Sequence, residues 1–308
     1  MGYVVLDFYC SYSLLSNISI CFLIFIQSLF TIGFAQILLD NYGWRALVFM
    51  CSIPVVIAAL AMLSLEESPR WLLSQGRIDE AEEVVKKIAR INGAAPFELR
   101  LEQSSKSDNT RNFWKLFSFD DGHLYTTLAV SLLWLVMGFT FYGISLLVVR
   151  VSGENDDDCD FNFDFLWETY SMEALGLLFL CFTVEKIGRV FSNVLFYLGA
   201  GIGATLLGWA GWLHRDSFAI GFGSFAISCI FAASSATWII TPELYPTEIR
   251  STAHASANSL GRIGAFFASY YVDSSFDLLL VGIGLGLLST IAAAVASCLP
   301  ETAQKILD

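Results

Sequence analysis

Charge is scarce in this sequence. Only 15% of its 308 residues are Asp, Glu, Lys or Arg, and 56% are apolar, where a typical soluble domain carries roughly 25% charged residues. A soluble globule of this size cannot hide that much apolar surface, so water-soluble folds are excluded. The same composition excludes intrinsic disorder and collagen. Histidine is nearly missing: His123, His214 and His254 have no partner at ligand spacing, and no metal site is expected. None of the seven cysteines forms a C-x-x-C pair, and five lie in apolar runs. They read as buried small side chains and exclude a disulfide scaffold. Cations are outnumbered 17 to 29 and form no basic patch with interleaved aromatics, so nucleic acid is not an expected partner. No Walker A, G-x-S-x-G or H-E-x-x-H pattern occurs. An enzyme or an ATP-driven pump therefore has no support, and no cofactor is expected.

What the chain does have is long apolar runs. Mean hydropathy is +0.62. Eight runs stand out: 17–39, 46–65, 124–149, 165–184, 190–213, 217–242, 251–272 and 278–300. Each is at least 20 residues, or about 30 Å of helix, enough to cross a bilayer. A signal peptide is a poor reading of the start, because no basic segment precedes the first run and more runs follow. The expected class is an all-α, multi-pass membrane protein with about eight transmembrane helices.

Orientation follows from Lys and Arg. The polar stretch 66–123 carries nine: Arg70, Arg77, Lys86, Lys87, Arg90, Arg100, Lys106, Arg111 and Lys115. Lys186, Arg189, Arg250 and Lys305 fall on the same side, and only Arg45, Arg150 and Arg215 on the other. The long loop and both termini are thus expected in the cytoplasm. The acidic cluster Glu154, Asp156, Asp157, Asp158, Asp160 and Asp164 is expected outside. The sequon Asn17-Ile18-Ser19 falls on the inner side, where glycosylation is not expected. Within the long loop, 74–92 reads as an amphipathic helix closed by Gly93, with Ile78, Ala81, Val84, Val85, Ile88 and Ala89 at helical spacing. A short surface helix is expected over 112–119. The loop is expected to be a solvated structural linker or, alternatively, a regulatory or docking element.

Three loop motifs are specific. Glu66-Glu67-Ser68-Pro69-Arg70-Trp71-Leu72-Leu73 follows the second run, Glu185-Lys186-Ile187-Gly188-Arg189 the fourth, and Pro242-Glu243-Leu244-Tyr245-Pro246-Thr247-Glu248-Ile249-Arg250 the sixth. The chain closes on Leu299-Pro300-Glu301-Thr302. Physically, Gly188 permits a tight turn, Arg189 sits just past a helix C-terminus, and Pro242 and Pro246 fix a break.

This set resembles the major facilitator superfamily. Within it, the chain is most similar to the organic ion transporters and the synaptic-vesicle-protein-related transporters. E-S-P-R-W-L-L and L-P-E-T are shared with sugar porters. Residues 134–147 resemble the seventh helix of the organic ion group and lack the glutamines of a sugar site. Residues 166–176 resemble its eighth helix and 259–266 its eleventh. The resemblance covers the chain from Gly43 onward and matches 1–16 poorly. It implies that the eight runs are helices five to twelve of the family fold, with the first four not in this sequence. The implied division is 17–65 as the last two helices of an N-terminal bundle, 66–123 as linker, 124–300 as a six-helix C-terminal bundle, and 301–308 as tail.

The resemblance also assigns roles. Glu185, Arg189, Glu243 and Arg250 become a conformational latch of ion pairs; the plainer reading is interfacial anchoring. Where the family often has a second basic residue after Arg189, this chain has Val190. Arg262 and Glu173 are ionisable residues inside runs, each costing roughly 2.5–3.5 kcal/mol at a helix centre, so each should face a cavity or a partner. Both lie 11 residues from the inner ends of their runs, about 16 Å deep. They are candidates for a midplane ion pair, whereas Glu168 is expected at the outer interface. By resemblance an arginine at position 262 marks carriers of anions or zwitterions, whose carboxylate it can grip bidentately. Glu173 is alternatively a proton carrier. Trp134 and Tyr142 are candidates to line the cavity, with Phe139 a weaker choice. The repeats Gly199-x-Gly201-x-Gly203 and Gly282-x-Gly284-x-Gly286 read as helix-packing surfaces, not nucleotide loops.

The expected function is transport of small organic ions, an anion or zwitterion, by alternating access. The partners are that solute, the lipid bilayer and a coupling proton or ion; the location is a plasma or intracellular vesicle membrane. A sugar porter, or a truncated non-transporting protein acting through a partner, are the alternatives.

Overall fold

The computed structural model describes residues 26, 29–39, 41–93, 116–117, 123–153, 163–246, 249–273 and 275–302, without the side chains of residues 70, 74, 185 and 216. Among the described residues there is no strand. The elements in order are α1 (Leu29–Leu39), α2 (Trp44–Met62), α3 (Pro69–Ser74), α4 (Ile78–Ile91), α5 (His123–Gly153), α6 (Phe163–Ser171), α7 (Glu173–Lys186), α8 (Arg189–Trp212), α9 (Asp216–Glu243), α10 (Arg250–Val272) and α11 (Leu278–Ser297). Helices are what such apolar segments must form, because without water each backbone amide needs its partner within the segment. Among the described residues, six stretches are long and apolar enough to span a membrane: Trp44–Met62, His123–Ser152, Phe163–Val184, Arg189–Trp212, Ser217–Glu243 and Leu278–Ser297. Of the other two expected spans, 17–39 is described only from residue 26 on. α10 is long enough at 23 residues but more polar, carrying His254, Asn258 and Arg262.

One expected helix is broken. The run 165–184 turns at Met172, so α6 ends and α7 begins near its middle. The reason is local: the Ser228 hydroxyl of α9 donates to the Met172 carbonyl at 2.6 Å, and Leu175 N–H reaches back only to Met172 O at 3.1 Å. A hydroxyl inserted into the ladder is a standard cause of a helix break. Gly176 makes the approach possible; a Cβ there would lie 2.2 Å from the Ser228 carbonyl oxygen.

The bundle is built on such small-residue seams. α8 packs along α11 and α9, α5 along α10 and α11, and α9 also meets α6 and α7. Gly203 lies against Ala226 of α9, while Gly201 faces Gly286, and Gly208 faces Gly282, across the α8–α11 seam. Both glycine repeats therefore bring backbones together, where lipid supplies no driving force and close van der Waals contact must. Cys181 and Cys229 are buried as expected, but Cys51 and Cys298 are exposed. α2 buries no residue against the rest of the chain.

In the long loop, the expected amphipathic helix is α4, which covers α3 through Ala81 and Leu72. Arg77 Nε donates to Glu80 Oε1 at 2.7 Å in its first turn and holds that carboxyl below its ordinary value. The pair is exposed and adds little stability. The helix expected over 112–119 is described only as a turn at 116–117, where the Leu116 carbonyl accepts the Thr127 hydroxyl at 2.8 Å. Residues 1–16, the sequon and the acidic loop up to Asp160 lie outside the described residues.

Candidate functional site

Two groups of side chains organise the bundle. The first lies along the seam of α5 and α10. Arg262 Nη1 donates to the Tyr142 hydroxyl at 2.8 Å, and both side chains are exposed on the same side of the seam. Leu146, a turn beyond Tyr142, and Ser269, seven residues beyond Arg262, begin a groove of about 490 Å³. Val149, Arg150, Tyr270, Val272 and Asp273 complete it. Arg150 closes that end by donating to the Val272 and Phe276 carbonyls at 2.6 and 3.0 Å. An exposed cation held by a phenol can grip one carboxylate; the groove itself begins a turn beyond Tyr142 and seven residues beyond Arg262, and neither of the two lines it.

The expected Arg262–Glu173 ion pair is not among the described ion pairs. Glu173 opens α7 on the face that carries Gly176 and packs on α9, and its carboxylate is fully buried. Arg262 sits on α10, which packs on α5 and α9, and turns to Tyr142 instead. Equal depth, read along the chain, did not mean adjacency around the bundle. Glu168 is exposed.

Trp134 does not line open space. It is 1% exposed, and its indole N–H donates to Thr241 Oγ1 at 2.8 Å. That hydroxyl donates to the Thr237 carbonyl at 2.7 Å, and Thr237 Oγ1 accepts from Asn193 Nδ2 and meets Tyr197 Oη, each at 3.0 Å. This buried polar chain ties α5 to α9 and α8; every link satisfies a group that would otherwise cost about 1–3 kcal/mol. Trp134 also stacks edge-on against Trp238 and His254, both with ring centroids at 5.1 Å. Phe139 and Phe141 are partly buried against the core.

The second group lies at the opposite end of the bundle, where α8 and α10 begin and α9 and α11 finish. Of the four candidate latch residues, Arg189 and Glu243 come together, with Nε 3.4 Å from Oε2 and both side chains mostly buried. Arg250 Nε donates to the Tyr245 carbonyl at 3.1 Å. The Glu185 side chain lies outside the described residues. The partner that spacing did not identify is Glu301. Its carboxylate accepts the backbone N–H groups of Arg189 and Val190 at 2.9 and 3.1 Å, capping α8 from the far end of the chain. Those amides are orphaned by the start of the helix, where the dipole also favours an anion. Gly188 makes room: its φ is 95°, and a Cβ would lie 2.5 Å from Glu301 Oε2. Thr302 donates its hydroxyl to Glu243 Oε2, so the tail touches both partners of the ion pair. The L-P-E-T motif was visible in the sequence; the helix it caps was not. Glu301→Ala is expected to cost about 1–2 kcal/mol of stability, read as a lower thermal midpoint of the purified protein. An unchanged midpoint would remove the cap from the account.

Comparison with known proteins identifies the family and the fold. A family model described as sugar (and other) transporter matches residues 11–307. Solute carrier family 22 member 21 of Mus musculus is 28% identical over 288 residues, covering 89% of this chain and 49% of that protein. Organic cation/carnitine transporter 2 of Homo sapiens is 27% identical over 267 residues, 84% of this chain and 46% of its own length. The synaptic vesicle 2-related protein of Xenopus laevis is 27% identical over 298 residues, 88% of this chain and 52% of its own. The chain spans about half the length of the curated relatives it matches. A solved proton:xylose symporter, bound to 6-bromo-6-deoxy-D-glucose, superposes with a TM-score of 0.66 at 20% identity, covering 96% of this chain and 65% of that one.

Proposed function

We propose, from the premise that this chain belongs to the sugar and other transporter family of the major facilitator superfamily, that it carries small organic anions or zwitterions across a membrane by alternating access. The observation that carries the substrate class is Arg262: a guanidinium within a helix, exposed beside a phenol. An arginine there costs insertion energy and is offset by an anionic ligand. Coupling to a proton or an ion belongs to the proposal, and fully buried Glu173 is one group able to hold a proton. Residues 17–65 are the last two helices of an N-terminal bundle, 66–123 the linker and 124–300 the C-terminal bundle. The excess of Lys and Arg in 66–123 supports a cytoplasmic long loop and cytoplasmic termini. The Arg189–Glu243 pair, with Arg250 and Glu185, is the latch that holds one access state.

A sugar substrate is the second reading, favoured by the fold shared with the xylose symporter. Uptake by cells or proteoliposomes bearing the chain separates the two. Competition by carboxylates and none by hexoses is expected; the reverse pattern would make it a sugar porter.

A further inference from the structure

His254 is used by neither group above. It lies one helical turn into α10 from Arg250. Its imidazole stands between two indoles, with ring centroids 5.1 Å from Trp134 at 85° and 4.7 Å from Trp238 at 57°. Nδ1 is shut away from solvent and has no hydrogen-bond partner among the described residues. Imidazole gains or loses its proton near neutral pH. The box can therefore receive a proton, but it supplies no counter-ion.

The surrounding charges make the protonated form unsettled. α10 packs on α5 and α9. Between Tyr125 and Tyr142, α5 has no titratable side chain, and between Asp216 and Glu243, α9 has only Cys229. On α10 itself the neighbours are cations: Arg250 four residues before and Arg262 eight after. Like charges one turn apart repel. The nearest acid along these elements is Glu243, five residues beyond Trp238 on α9.

That stretch of α9 joins the box to the other end of the bundle. Trp238 touches His254, Thr241 holds the Trp134 N–H, and Glu243 pairs with Arg189 and accepts from Thr302. Pro242 lies among them inside the helix. It lacks the amide that would bond the Trp238 carbonyl, so α9 can bend between the box and Glu243.

We propose that His254 is a proton-binding site that works the Arg189–Glu243 ion pair through the proline break in α9. Protonation puts a cation between the indoles with Arg250 a turn away. The imidazolium moves toward solvent or an anion, Trp238 follows, α9 bends at Pro242, and Glu243 leaves Arg189. The inference goes beyond the proposed transport function and does not depend on which solute is carried.

The full chain in detergent tests it, because it has only three histidines. In ¹³C-histidine-labelled protein, the resonance missing from His254→Gln identifies residue 254. It is expected to titrate reversibly while the protein stays folded, and no titration over that range would overturn the proposal. Linkage sets the sign of a second arm. If protonation favours release of Glu243, then Glu243→Gln, which releases it, must move the His254 midpoint to higher pH, by about one pH unit for a tenfold coupling. Simple loss of a nearby negative charge would move it lower, and either that or no shift would overturn the coupling. In an uptake assay, His254→Gln should flatten the pH profile, and an unchanged profile would also overturn it. A chain without measurable uptake counts against the transport reading alone, and the two titrations then decide the switch.

Discussion

Alanine at position 138 is expected to lower the stability of the folded bundle sharply. A Cβ on Gly138 would lie 1.9 Å from the Gly261 carbonyl oxygen, 2.7 Å from its carbon and 2.9 Å from its Cα. All three are backbone atoms of α10, so no side chain can swing away. Across the same seam, a Cβ on Gly264 would lie 2.0 Å from the Leu135 carbonyl oxygen. The two helices must separate to admit either methyl group, which also opens the contacts of Trp134 and Arg262 with their partners. Overpacking costs about 1–3 kcal/mol, and backbone atoms that cannot swing away put this site at the upper end, a large share of the roughly 5–15 kcal/mol that holds a domain folded. Gly221→Ala is the control, since a Cβ there meets nothing within 4 Å, and the better helix former should add about 1 kcal/mol. Thermal unfolding of the purified proteins makes the comparison. If Gly138→Ala melts with Gly221→Ala, the close α5–α10 seam is wrong.

Removing the Arg262 guanidinium is expected to lower uptake of a carboxylate about 10- to 100-fold, the loss that follows from about 1.5–3 kcal/mol for a hydrogen bond to a charged group. The argument rests on position. Arg262 is exposed and spends one N–H on Tyr142, which leaves the rest of its planar fork for a ligand. Arg262→Lys should recover only part of the uptake, because an ammonium is a point charge without the fork. Tyr142→Phe should have a smaller effect, since it loosens the guanidinium without removing it. Thermal stability measured in parallel separates binding from folding. Full uptake in Arg262→Ala would end the substrate assignment. A loss of stability equal to the loss of uptake would make the arginine structural.

Much of the architecture could be read along the chain. Runs such as 124–149 and 190–213 are uncharged beyond the length of a bilayer crossing, and nothing except a membrane helix suits them. The motifs at 66–73, 185–189 and 242–250 pointed to the superfamily that the family model over residues 11–307 identifies. Arg189 and Glu243, far apart in sequence, were grouped by resemblance and meet at 3.4 Å. Other features needed neighbours that spacing does not supply. The break at Met172 depends on a hydroxyl from Ser228 on another helix. Glu301 was visible as part of a terminal motif, but its role as the cap of α8 depends on where the chain's end returns. Trp134 looked like a cavity residue because of its type, and is instead buried in a hydrogen-bonded chain to Thr241.

Composition and spacing settled the properties that depend on one segment meeting its solvent: class, helix positions and the kind of residue at each helix end. Transfer of apolar groups from water and the self-contained hydrogen bonding of a helix are local, so the local sequence suffices for them. Packing settled the properties that depend on azimuth. Glu173 and Arg262 stand equally far along their runs and lie on different seams, because the rotation of each helix is set by where its small residues let another backbone approach, at Gly176 on Ser228 and at Gly264 on Leu135. The pairing of Arg262 with Tyr142, the seat of His254 between two indoles and the cap on α8 all follow from those rotations.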